Sequence, residues 1–204
     1  MSGLTKRSYA AAVELLMAGD DDLAQIIERF GVPPFLTRPN GFATLVTIIF
    51  EQQVSLASAK ATFDKVALLL PEFSEEEYLK LSDEALRTAG VSRQKIRYTR
   101  LVAHAILDGH LPIRSLTRKS DAEVRELLTA ITGVGNWTAD VYLMLALRRP
   151  DLWPIGDLAL VKAVVTVKGI REKPDAQGLE ELGERYRPYR SVATHIFWRH
   201  YLQS

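Results

Sequence analysis

The chain has 204 residues, 47% of them apolar, no cysteine and a formal net charge of +1, a size that suits one large domain or two small lobes around a buried core. The lack of cysteine excludes disulfides, thiolate zinc sites, a cysteine nucleophile and a cysteine-held iron–sulfur cluster. No run approaches the roughly 18 apolar residues of a membrane span, and the start lacks an apolar signal core, so a soluble, intracellular, cytoplasmic protein is expected.

From the N-terminus onward, apolar residues recur at helical spacing, first as Tyr9/Ala12/Val13/Leu16. Gly19 and Gly31 read as helix stops. The segment from Gly31 to Gly41 contains Pro33, Pro34 and Pro39 and cannot be helical throughout, so it is the clearest linker. Ser74-Glu75-Glu76-Glu77 and Ser120-Asp121-Ala122-Glu123 each place an acceptor at a helix start and a carboxylate three residues on. Gly90 and Gly109 are further stops, and the periodic runs Tyr98/Leu101/Val102/Ala105/Ile106 and Val124/Leu127/Leu128/Ile131 continue the helical pattern.

Strand-like alternation is scarce, and the pattern predicts an all-α protein of roughly ten short helices. The breakpoints suggest two helical lobes with a cleft. One lobe holds residues 1–41 and 157–204; the other, 42–156, carries a helix-hairpin-helix at about 121–147, with Trp153-Pro154 marking the second crossing.

Charge is unevenly distributed. Residues 1–90 carry 8 Lys/Arg against 13 Asp/Glu, and residues 91–204 carry 18 against 12. A basic face built by the second half would suit phosphate binding; ordinary solvated helix surface explains the same numbers. Of the four histidines only His195 and His200 are near one another, and at i,i+5 they diverge on a helix.

Two local features carry chemistry. The stretch Leu127 to Ala139 joins two helices through Gly133-Val134-Gly135, where missing Cβ atoms let the backbone come close to a ligand. The second helix starts with outward N–H groups and a partial positive charge, which suits a phosphate without reading base sequence. A bare Gly-Val-Gly between helices is equally a structural turn. Pro154-Ile155-Gly156-Asp157 then opens a helical run from Leu158 to Val167. Taken alone, Asp157 reads as an N-cap, a role compatible with chemistry.

The extended pattern L-x-x-I-x-G-V-G-x-W-T-A followed by P-x-x-D resembles the helix-hairpin-helix, Gly/Pro-rich, Asp signature of the DNA base-excision glycosylase superfamily. Within it the pattern is most similar to the 3-methyladenine DNA glycosylase II type. Ile48 to Ser55, Ala89 to Lys95 and Tyr186 to Ser191 resemble further segments of that family, so the likeness covers roughly residues 40–202. The resemblance therefore implies a compact form, without the N-terminal β-rich domain that the longer bacterial enzymes carry.

The resemblance implies a helix-hairpin-helix glycosylase fold, double-stranded DNA containing damaged bases as partner, and action as a monomer without a required cofactor. Members that also nick DNA carry a Schiff-base lysine at the position of Trp137. Its replacement implies base release without strand cleavage, with Asp157 stabilising positive charge at the sugar or activating water.

Trp137, Tyr142, Phe197 and Trp198 are the candidate base pocket, with Tyr189 near them in sequence. The family's tyrosine one turn beyond the tryptophan falls on Val141, and Tyr142 points about 100° away. A helical Tyr142 inside an apolar run is also ordinary core.

Gln53 stands at the family's wedge position. Gln52, Gly133, Val134, Gly135, Thr138, Arg93, Lys95 and Arg190 are candidate DNA contacts, with Arg199 beside them. The carbonyls of Thr129, Ile131 and Val134 are candidates to hold a monovalent cation.

The expected function is a monofunctional glycosylase that excises alkylated purines of the 3-methyladenine and 7-methylguanine type by flipping the base. The alternatives are a non-catalytic helix-hairpin-helix lesion binder and a glycosylase for deaminated or oxidised bases.

Overall fold

The structure, a computed structural model, describes residues 3–204. Among these residues every regular element is helical, as the periodicity predicts, and no helix is long and apolar enough to cross a membrane. Nine of the twelve α-helices begin at a side chain that accepts a first-turn N–H: Thr5, Asp20, Ser55, Ser74, Ser82, Ser92, Ser120, Asp157 and Asp175. Each such cap is worth about 0.5–2 kcal/mol, which lets short helices persist in a chain broken so often. The chain divides into two compact units, Arg38–Tyr142 and Met1–Thr37 with Leu143–Ser204.

The unit Arg38–Tyr142 is built around α3 (Phe42–Glu51), which packs on α4 (Leu56–Ala67) and on α7 (Arg93–Leu107). Leu45, Val46, Ile48, Ile49 and Phe50 are all buried, because α3 is apolar on nearly every side and belongs in the centre of a bundle. The short helices α5 (Glu75–Lys80) and α6 (Asp83–Thr88) close over α7. A 3-10 turn, Ile113–Arg118, leads to α8 (Asp121–Thr129), and α9 (Asn136–Leu145) begins in this unit and runs out of it.

The other unit contains α1 (Lys6–Gly19), α2 (Asp21–Phe30), α10 (Leu158–Val167), α11 (Ala176–Glu184) and α12 (Arg190–Gln203). Residues 143–156 sit with these helices. α12 packs against α10, α2 and α1 and buries seven consecutive residues from Ser191 to Phe197. A polar clasp ties α2 to the end of α10. Lys168 Nζ donates to both Asp20 carboxylate oxygens and to Asp22, each at 2.7 Å, and Tyr186 Oη donates to Asp20 at 3.0 Å. Burial raises the Asp20 pKa, but the bonds from Lys168 and Tyr186 outweigh it and hold the carboxyl below its ordinary range.

His195 lies in this core, 2% exposed, between Trp198 (ring centroids 5.6 Å apart) and Tyr9 (5.7 Å), and neither ring nitrogen has a hydrogen-bond partner. Burial pushes its pKa from the ordinary 6.5 down to about 4. The neutral ring is therefore favoured in the folded state, and its contribution is complete above pH 6.5 and lost as pH falls towards 4. Thermal melting followed against pH is expected to reveal a loss approaching about 3 kcal/mol over that window. His195→Leu is expected to flatten that part of the curve, and an unchanged curve would show that His195 titrates normally.

Candidate active site

The hairpin is shaped by one obligatory glycine. α8 ends at Thr129, Ile131 N–H donates to Leu128 O at 3.1 Å, and Val134 N–H donates to Ile131 O at 3.0 Å, which turns the chain back. Gly133 has φ +94°, and a Cβ there would lie 2.0 Å from Tyr98 Cγ, because the Tyr98 ring packs flat against the turn. Gly135 differs: a Cβ there would meet nothing within 4 Å. α9 starts immediately after it, with Ala139 N–H donating to Gly135 O at 3.0 Å. The open side of Gly135 therefore lies at a helix N-terminus, where first-turn N–H groups and the helix dipole favour an anion.

Around this turn, several residues expected to touch DNA are engaged by the protein instead. Gln52 Nε2 donates to Gly133 O and to Thr138 Oγ1, both at 3.0 Å, and Thr138 is buried. Lys95 Nζ donates to Phe50 O at 2.8 Å and Gln52 O at 2.9 Å. The Val134 side chain is 3% exposed, so only its backbone remains to meet a ligand. Gln53 and Arg93 are exposed, and Gln53 has the unusual φ of +57°. Trp137 is half-buried in the first turn of α9.

Tyr142, in contrast, is a core residue. It is fully buried, and its hydroxyl donates to Asn40 Oδ1 at 2.6 Å and accepts from Gly41 N–H at 3.0 Å. Its ring offers no face to a base, and the apolar run around it explains why.

In the other unit, Pro154-Ile155-Gly156 forms a turn closed by Asp157 N–H donating to Pro154 O at 2.8 Å. Asp157 is the N-cap of α10. Its Oδ1 accepts from Leu160 N–H at 2.7 Å and from Trp198 Nε1–H at 3.0 Å, while the residue keeps 7% exposure. Two donors from different helices fix the carboxylate's orientation, which a capping role alone does not require. Trp198 is half-buried and stacked on His195 with an interplanar angle of 26°.

Phe197, one residue earlier on α12, points the other way. It is fully buried with its ring edge-on to Trp153 and Tyr186, so it too carries no base-facing surface. Arg190 is likewise turned inward: its Nε and Nη2 donate to the two Asp151 carboxylate oxygens at 2.7 and 3.0 Å. Arg199 closes the end of α2 by donating to Phe30 O. Tyr189 is half-buried at the start of α12.

Tyr98, which sequence reasoning missed, is the residue that dictates Gly133. Its only signal was an aromatic three positions beyond Lys95. The Trp198–Asp157 bond had no local signal, since 41 positions separate the two residues.

The description "HhH-GPD superfamily base excision DNA repair protein" matches residues 46–188, which include the Gln52-Gln53 turn, the hairpin and Asp157. A solved DNA-3-methyladenine glycosidase from Bacillus halodurans is 36% identical, with a TM-score of 0.77 over 94% of this chain and 89% of that one. The alkylbase DNA glycosidase-like protein mag2 of Schizosaccharomyces pombe is 25% identical over 198 residues, 94% of this chain and 93% of its own. The fold is also that of the S. pombe 3-methyladenine DNA glycosylase Mag1 in complex with abasic DNA, at a TM-score of 0.86 and 24% identity, covering 92% of this chain and 95% of that one. A match over most of the sequence, joined to a relative more than one-third identical along nearly its whole length, places this chain in the HhH-GPD superfamily of base excision DNA repair proteins.

Proposed function

We propose that the protein is a monofunctional DNA glycosylase that removes alkylated purines, of the 3-methyladenine and 7-methylguanine type, from double-stranded DNA. The observation that carries this reading is the Asp157 carboxylate, held by Leu160 N–H and Trp198 Nε1–H at the mouth of α10. Cleaving an N-glycosidic bond builds positive charge around C1′ of the sugar. A carboxylate oriented beforehand stabilises that charge without reorganising, and it can orient or deprotonate the attacking water. The relatives named for 3-methyladenine and alkylbase chemistry support the substrate class.

An N3- or N7-alkylated purine is cationic, so its bond to the sugar is already weakened and it leaves as a neutral base. Aromatic faces favour such a base over a neutral one by about 0.5–2 kcal/mol per contact. Trp137 and Trp198, each half-buried, keep surface for this role. The base must leave the duplex to react, at a cost of a few kcal/mol, and Gln53 is the plug for the gap. The α9 N-terminus beside Gly135 takes a phosphate, and the protein acts as a monomer.

The carbonyls of Thr129, Ile131 and Val134 belong to the same turn as that phosphate site. Ile131 O already accepts from Val134 N–H but retains a second lone pair. The donor chemistry therefore suits a monovalent cation, which would bridge the turn to a phosphate; no step of the reaction needs it.

A panel of duplexes, each with one defined lesion, tests the reading. Methylated purines are expected to be released at least tenfold faster than deaminated or oxidised bases. Faster release of uracil or 8-oxoguanine would move the enzyme to another target class. Tight binding without any abasic product at excess protein would make it a lesion binder.

A further inference from the structure

We propose that Lys95 and Gln52 form a bracket that locks the turn after α3 onto the hairpin, so that Gln53 stands pre-set as the plug. The proposal rests on the reading of Gln53 as the residue that fills the gap behind a flipped nucleotide. All the contacts lie within one unit of the fold.

The chain leaves α3 at Glu51 and must restart as α4 at Leu56. Between them Gln53 adopts φ +57°, a left-handed conformation that side chains other than glycine rarely take. Such strain persists only where neighbours over-determine the backbone, and it gathers at functional positions. The over-determination here is explicit. From α7, Lys95 reaches across with its ammonium and donates to the carbonyls of Phe50 and Gln52, one on each side of Glu51. The Gln52 side chain then donates to Gly133 O and Thr138 Oγ1, on the two sides of the hairpin turn. Tyr98, one turn beyond Lys95 on α7, supports Gly133 from beneath. The last backbone of α3, the hairpin and α7 are thus tied together by five contacts beside Gln53, which is itself exposed.

Lys95 is on this account a positioning residue rather than a phosphate contact. Its ammonium is spent on two carbonyls, and burial pulls its pKa below the ordinary lysine value. The bracket lets the plug and the phosphate-binding turn meet DNA as one body. A plug with a fixed backbone enters the duplex without first being ordered, so the bracket acts on flipping rather than on attraction to DNA.

The two roles of Lys95 separate in measurement. A phosphate contact contributes about 0.9 to the slope of log affinity against log salt. Lys95→Met is expected to leave that slope and the affinity for undamaged duplex within twofold. At saturating enzyme it is expected to lower single-turnover excision of a methylpurine, and the 2-aminopurine fluorescence rise beside it, by tenfold or more. Gln52→Leu, which leaves both carbonyl contacts in place, is expected to do the same, and it serves as the reading if Lys95→Met does not fold. A salt slope reduced by about one unit with flipping intact would overturn the proposal in favour of a phosphate contact. Gln53→Ala measured alongside separates the two levels. If Gln53→Ala impairs flipping while Lys95→Met and Gln52→Leu do not, the bracket alone is wrong; if Gln53→Ala flips normally, the plug reading fails and takes the bracket with it.

Discussion

Gly133→Ala is expected to abolish tight binding to duplex DNA and to destabilise the fold by about 3 kcal/mol or more, the combined cost of overpacking and of a side chain at positive φ. The added methyl would overlap the Cγ end of the Tyr98 ring, 2.0 Å from Cγ and 2.3 Å from both Cδ atoms, in a backbone conformation of φ +94°. Either the tyrosine is expelled or the turn moves, and both disturb the start of α9. Urea unfolding measures the first effect and salt titration of DNA binding the second. The companion substitution Gly135→Ala has nothing within 4 Å of the new atom. It is expected to leave stability within about 0.5 kcal/mol, as an uncrowded surface change does, while weakening DNA binding, because the methyl stands where a phosphate would approach. Combining Gly133→Ala with Tyr98→Gly is expected to return part of the lost stability. Strict additivity would show that the ring is not what the methyl strikes.

The second large effect belongs to Asp157. Asp157→Asn keeps an oxygen for Leu160 N–H and Trp198 Nε1–H and removes only the charge. Base release is expected to fall by about 10²–10⁴-fold, the range for a lost general base or charge stabiliser, while affinity for DNA is unchanged. Asp157→Ala would lose the cap as well and cost a further 0.5–2 kcal/mol or so in stability. The pair of variants therefore separates the structural duty of this residue from its chemistry. Measured as single-turnover rates and melting curves, a rate in Asp157→Asn within tenfold of wild type would remove the carboxylate from the mechanism.

Much of this site is legible in the sequence wherever its cause is local. Ser74 and Ser120 cap helices because a hydroxyl three residues before an N–H needs no distant partner. The glycine hairpin and the Asp157 cap are local in the same sense. What the sequence could not convey is direction. Lys95 and Arg190 read as candidates for phosphate because a long basic side chain declares its charge and not its path; both turn inward, to carbonyls and to Asp151. Phe197 and Trp198 are adjacent on α12, so about 100° of helix separates a core ring from the one that meets Asp157. Tyr142 was ambiguous for the same reason and proved to be core. Long-range pairings such as Trp198 with Asp157, or Lys168 with Asp20, leave no periodicity to detect.

On the proposed function, Trp137 takes the place of an amine nucleophile, and Asp157-assisted hydrolysis does all the bond-breaking. A duplex with one 7-methylguanine, incubated with excess protein and divided before and after alkali treatment, tests that claim most directly. Free 7-methylguanine with a strand that stays intact until alkali is the predicted result. A nick formed without alkali, or a protein–DNA adduct trapped by borohydride, would contradict it.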